Sequence, residues 1–193
     1  MSAVLVRSEV PGDREAVNRV VAEAFAHHGL EVVAMVEALN AARRTRASLV
    51  AEVDGEVVGH VQLSHSWVDA RRKLVDVLVL SPLGVLPSHH GRGIGSTLLA
   101  AAVEAARDTG APAVFLEGSP DFYGARGWSR GSTLGFESPS VRVPDPAFQV
   151  VLFDSHEKWM TGRLVYCDPF WELDCVGLRD PRLAELEARL STP

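Results

Sequence analysis

The stretch "VLPSHHGRGIGSTLL", Val85 to Leu99, decides how this chain is read. A strand-like run passes through a proline and two histidines, and Gly91, Gly93 and Gly95 then fall at every second position where a helix begins. Leu98, Leu99, Ala102, Val103 and Ala106 follow as one apolar helical face, and Gly110 ends the pattern. A turn that feeds a helix exposes unpaired amide N–H groups, and the helix dipole adds partial positive charge, so the position favours an anion such as a phosphate. Glycine has no Cβ to obstruct the ligand and adopts dihedrals closed to other residues. Arg92 sets a fixed positive charge beside the turn. The competing reading of the three glycines is an ordinary turn with no ligand.

Outward from the turn, the chain alternates strand and helix signals. Val4 to Arg7 reads as a first strand, Pro11-Gly12-Asp13 as a turn whose aspartate caps a helix, and Ala16 to Phe25 as that helix, with Gly29 as its stop. A second helix is expected over Glu31 to Ala42. Leu49 to Val53 and Val57 to Leu63 flank Asp54-Gly55, a hairpin signal because Asp-Gly accommodates the positive φ angles of a tight turn. Leu74 to Val85 reads as a strand kinked near Ser81-Pro82, since proline removes a ladder donor. Ala113 to Leu116 is a short buried strand, which makes strand, helix, strand a right-handed parallel crossover. Thr133 to Ser138 and Phe148 to Phe153 are two further expected strands, and Asp180-Pro181 opens a tail helix, about 180–191, striped with Leu183, Leu186 and Leu190.

Two nucleotide-binding patterns fail at the turn. GxxxxGK[ST] lacks its lysine before Ser96, and GxGxxG would need a glycine where Ser96 stands. The dinucleotide fingerprint also opens its domain, whereas here two helices and a hairpin come first.

Another pattern fits the order of elements. Strand, two helices, antiparallel meander, glycine turn, helix, strand and a Tyr-x-x-x-Gly-aromatic segment resemble the GNAT superfamily of acyl-CoA-dependent N-acyltransferases. That family's Gln/Arg-x-x-Gly-x-Gly/Ala aligns with His90-Gly91-Arg92-Gly93-Ile94-Gly95, with His90 departing at the first position. "GSPDFYGARGW", Gly118 to Trp128, is similar to the family's stretch after the fifth strand. With "PLGVLP" and "GRLVYCDPFWELD" it looks most like the YhbS-type branch of N-acetyltransferases. The resemblance covers roughly residues 3 to 175.

The resemblance implies an α/β (α+β) fold, with a mixed, mostly antiparallel central sheet flanked by helices and the fourth and fifth strands splayed apart. It implies acetyl-CoA as acyl donor, its diphosphate held by the backbone from His90, Gly91, Arg92, Gly93 and Ile94 to Gly95 and Ser96. The pantetheine arm would pair with the main chain of Gly84, Val85 and Leu86. Tyr123 corresponds to the family's tyrosine beside the sulfur, the proton donor to the leaving thiolate; its other reading is an aromatic packed under a short helix. An attacking amine must first lose a proton, since an alkyl ammonium has a reference pKa of ~10.4. Glu117, at the end of the strand leading into this segment, is the candidate base, with Asp76 and Asp121 as rivals. The implied activity is transfer of an acetyl group to a primary amine of a small molecule or protein. The alternative from another class is a silent acyl-CoA-binding or regulatory domain.

Composition bounds the rest. The 193 residues fit one domain, with 47% hydrophobic and 23% charged residues in the range of soluble globular chains. A net charge of −6 argues against nucleic-acid binding, which needs clustered cations; the only basic clusters are Arg43-Arg44-Thr45-Arg46 and Arg71-Arg72-Lys73. The apolar run Leu74 to Leu86 is too short to span a bilayer, and the first residues lack the pattern of a signal peptide, so a cytoplasmic protein without membrane association is expected. Cys167 and Cys175 lack CxxC spacing and read as free thiols. The adjacent pairs His27-His28 and His89-His90 diverge on any regular element, so no metal is expected; His60 and His65 read as structural, with one of them reaching the cleft as an acceptor-binding group as the alternative. Phe170 and Trp171 with Trp159 read as core or pocket wall, and the C-terminal strands with the tail helix as a candidate homodimer contact.

Overall fold

A computed structural model of the chain describes residues 3–190. The chain divides into two compact units, residues 1–64 with 80–109 and residues 65–79 with 110–193. In the first, β1 (Val4–Ser8) leads through a 3₁₀ turn into α1 (Arg14–Ala24) and α2 (Gly29–Ala41), followed by β2 (Thr45–Val53) and β3 (Glu56–Ala70). The later part of β4 (Leu74–Val85) and α3 (Ile94–Asp108) complete it. β1 pairs antiparallel with β2, Val4 opposite Val53, and β2 with β3, Val53 opposite Glu56. The hairpin forms at Asp54 and Gly55, with φ of 52° and 84°, because a two-residue turn of this hand needs both angles positive. Val17, Val20 and Val21 of α1, Met35, Val36 and Leu39 of α2 and Leu98, Leu99 and Ala102 of α3 are buried, which is the amphipathic pattern cashed in as core.

Two expectations in this unit are corrected. Gly29 does not stop α1; it is the first residue of α2, where a Cβ would lie 2.1 Å from the carbonyl oxygen of Ala22. Asp13 stands at the N-cap of α1 without capping it, because its carboxylate instead accepts from the Val10 N–H and from Arg7. β4 runs unbroken through Ser81-Pro82, whose peptide bond is cis.

In the second unit, the first part of β4 pairs parallel with β5 (Ala113–Glu117), Leu78 opposite Val114 and Val79 opposite Phe115. α4 (Pro120–Gly124), β6 (Ser129–Arg130), β7 (Phe136–Glu137), β8 (Phe148–Leu152), β9 (Gly162–Val165), α5 (Asp168–Glu172) and α6 (Arg182–Leu190) follow. β8 pairs antiparallel with β5 and with β6, and β9 with the last residues of β3, Trp67 opposite Val165. Phe115 anchors the core: its ring stacks on Phe148 at 5.7 Å and takes Phe136 edge-on at 4.9 Å. Truncating it to alanine would cost about 3–5 kcal/mol through the cavity left behind.

The strand expected over Thr133 to Ser138 is a 3₁₀ turn, Gly131–Leu134, then the two residues of β7, because Gly135 at φ 86° breaks the extended run. β9 and α5 are elements that the sequence reading did not separate. The tail helix begins at Arg182; residue 191 lies outside the described residues. Cys167 is buried and Cys175 half-buried, and neither is in a disulfide. Phe170 is buried, but Trp171 is 43% exposed and Trp159 carries the Arg72 guanidinium 5.1 Å above its ring, so the three aromatics are not one core cluster. Among the described residues no helix is long and apolar enough to cross a membrane, and no group of three or more His, Cys, Asp or Glu could hold a metal ion. The fold is thus mixed α/β, with a mostly antiparallel sheet and flanking helices.

Candidate active site

The glycine turn lies in the first unit. β4 ends with the Leu86 N–H donating to the Val58 carbonyl at 2.9 Å, which directs the main chain of Val85 to the opposite side of the strand. His90 Nε2 donates to the Val85 carbonyl at 2.8 Å, so this ring folds back on the strand and braces the turn. The departure from the family pattern at position 90 thereby has a structural use. Gly91 and Gly93 hold φ of 75° and 79°, and a Cβ at either would enter open space. α3 starts at Ile94 with Gly93 as N-cap and no side-chain cap hydrogen bond. Arg92 is exposed, whereas Ile94 is 1% exposed and its side chain belongs to the core, so its contribution is confined to backbone. Val85 and Leu86 are buried likewise, and Gly84 gives room to Ala24 and the Phe25 ring, at 3.0 and 3.3 Å from a Cβ built there.

The candidate acid and base lie in the second unit. Tyr123 sits on α4 with Phe122 edge-on at 4.9 Å and Trp128 at 6.0 Å. Its ring lies flat against Gly118, where a Cβ would come within 2.2 Å of Cε2, so this position tolerates no side chain while the ring is in place. Burial pushes the phenol above its ordinary value, which keeps it protonated at neutral pH. Glu117 ends β5. Its Oε1 accepts from Tyr166 Oη at 2.8 Å and its Oε2 from the Gly177 N–H at 3.2 Å. Burial raises this carboxyl above the ordinary carboxylate range, opposed by the two hydrogen bonds and by Arg142. Raising a carboxyl moves it toward the pH at which a base works best.

Glu117 also lines a cavity of about 410 Å³ with Gly118, Ser119 and Asp121. The rival Asp76 is a surface group, 80% exposed and bound to His65 Nε2 at 2.8 Å. Tyr166 went unrecognised in the sequence, where it is one aromatic in an apolar run. So did the first unit's cluster of Glu9, Ser48 and His60: Ser48 Oγ meets both the Glu9 carboxylate and, at 2.8 Å, His60 Nε2. His60 holds Glu9 below the usual carboxylate range, and the carboxylate bonds the serine rather than orienting the imidazole, so the arrangement is not a nucleophilic triad.

Known proteins are similar to this chain. The pattern of the Acetyltransferase (GNAT) family matches residues 16–130. Uncharacterized N-acetyltransferase YjhQ of Escherichia coli (strain K12) is 28% identical over 130 residues, 65% of this chain and 71% of that protein. A GNAT family acetyltransferase from Brucella melitensis, solved in complex with acetyl-CoA, is 27% identical with a TM-score of 0.71, covering 88% of this chain and 99% of its own. The GNAT family N-acetyltransferase YhbS from Escherichia coli, solved in complex with CoA, has a TM-score of 0.78 at 22% identity, over 88% and 93% of the two chains, and shares the fold.

Proposed function

The chain belongs to the acetyltransferase (GNAT) family, and from that premise we propose that it transfers the acetyl group of acetyl-CoA to a primary amine by direct attack on the thioester. The observation that carries the reading is the turn from Gly91 to Ser96, two left-handed glycines before a helix without a side-chain cap. Its amides and the helix dipole suit the coenzyme's diphosphate, and the end of β4 that leads into it suits the pantetheine arm. The similarity to a protein solved with acetyl-CoA supports the same donor.

In this reading the ammonium first gives one proton to solvent, and Glu117 accepts the second, which the nitrogen sheds as it becomes an amide. The amine nitrogen bonds to the thioester carbon, the carbon–sulfur bond breaks, and Tyr123 gives its proton to the departing thiolate. The proton held by Glu117 returns to Tyr123 through solvent, so protons balance over one turnover. Titration of the purified protein with acetyl-CoA and with NAD, followed by thiol release over a panel of amines, tests the proposal. Acetyl-CoA binding with amine-dependent release is expected. Binding without release from any amine would leave a silent acyl-CoA-binding module, and preference for NAD would overturn the reading of the turn.

A further inference from the structure

The cavity beside Glu117 has a second wall, and that wall is α6. Leu186, Arg189 and Leu190 of this helix line the same 410 Å³ as Glu117, Gly118 and Asp121. Leu183, Leu186 and Leu190 share one face of α6 and are half-buried, while the rest of the helix is exposed. No residue of the helix is fully buried, so its leucines are not spent on core packing. Two of the three face the cavity instead. The volume is of the size that takes a small molecule.

The charges in the cavity are arranged unequally. A half-buried carboxylate held by two hydrogen bonds stands on the β5 side, an exposed carboxylate on α4, and a guanidinium on the α6 side, with leucine between them. We infer that the acetyl acceptor is an amino acid with an apolar side chain, its amine directed to Glu117, its side chain against Leu186 and Leu190, and its carboxylate on Arg189. A polyamine or an aminoglycoside would bring a further cation to the guanidinium, and a protein lysine would bring no carboxylate to it. The inference rests on the acetyltransferase reading for its reaction, but not for its binding chemistry.

The test therefore reads binding and turnover separately, on the full chain. Calorimetry with L-leucine, glycine, leucinamide and spermidine is run on the wild type, Arg189→Ala and Leu186→Ala, and thiol release from acetyl-CoA is followed in parallel. Leucine is expected to bind the wild type about tenfold more tightly than leucinamide, the value of one charge-assisted hydrogen-bonded pair. Arg189→Ala erases that difference, and Leu186→Ala weakens leucine while leaving glycine unchanged. Equal binding of leucine and leucinamide, a preference that survives Arg189→Ala, or tighter binding of spermidine overturns the inference. Arg189-dependent leucine binding without thiol release supports the amino-acid site and overturns the transferase reading instead. Arg189 is exposed, so its variant is expected to fold, and circular dichroism checks it.

Discussion

Tyr166 Oη donates to Glu117 Oε1 at 2.8 Å, so a fully enclosed phenol holds the carboxylate that the proposed reaction uses as its base. Burial raises the Glu117 carboxyl, and the Tyr166 hydrogen bond lowers it. Tyr166→Phe removes the lowering contribution alone. A base works only when ionised, so the acid limb of the kcat/KM profile moves to higher pH, and activity falls more at pH 6 than at pH 9. An unmoved acid limb would detach Glu117 from the rate.

Tyr123→Phe keeps the ring against Gly118 and removes only the hydroxyl. Acetyl-CoA binding, measured by calorimetry, stays as in the wild type, while turnover drops by about 10²- to 10⁴-fold, the usual weight of a positioned acid. Turnover near the wild-type rate would take Tyr123 out of the chemistry.

Gly93 and Gly110 share a φ of 79° and open space around a built Cβ, which makes one a strain-matched control for the other. Alanine at either position is expected to cost stability by about 1–2 kcal/mol. Only Gly93→Ala also sets a methyl group at the start of α3, so it alone weakens acetyl-CoA, by roughly tenfold if one amide contact is lost. Equal affinities in the two variants would contradict a diphosphate on this turn.

Asp13 is pushed down to about 2, first by its hydrogen bonds from Arg7 and then by the Val10 N–H. Its folded pKa lies below the unfolded one, so this stabilisation is fully present above the ordinary value of 3.8 and disappears as pH falls toward about 2. Arg7 is 31% exposed and screened by solvent, so Arg7→Ala costs of the order of 1 kcal/mol at pH 7. Urea unfolding at pH 7 and at pH 2.5 checks this: the gap between wild type and variant narrows in acid.

What could be read from the residues was local. The Asp54-Gly55 hairpin, the apolar face of α3 and the short strand β5 carry their instructions within a few positions, and the glycine turn follows from chirality and helix ends. β9 was opaque because its four residues become a strand only through pairing with Trp67 to Ala70, a partner distant in sequence. Thr133 to Ser138 misled because its pattern is extended while Gly135 turns the chain. In the site, Glu117 was legible as an acid at a strand end. Tyr166 was not, since nothing in an apolar run says which aromatic will meet a carboxylate, and His90 was legible as a departure but not as a brace.

Gly118 offers neither charge nor nucleophile, yet the room it leaves decides where the Tyr123 ring stands. A single methyl group there would dislodge the phenol without touching any ionisable atom. Substitutions that silence this protein thus need not fall on the groups that exchange protons, and an inactive variant at this position would signal a displaced aromatic rather than a lost acid.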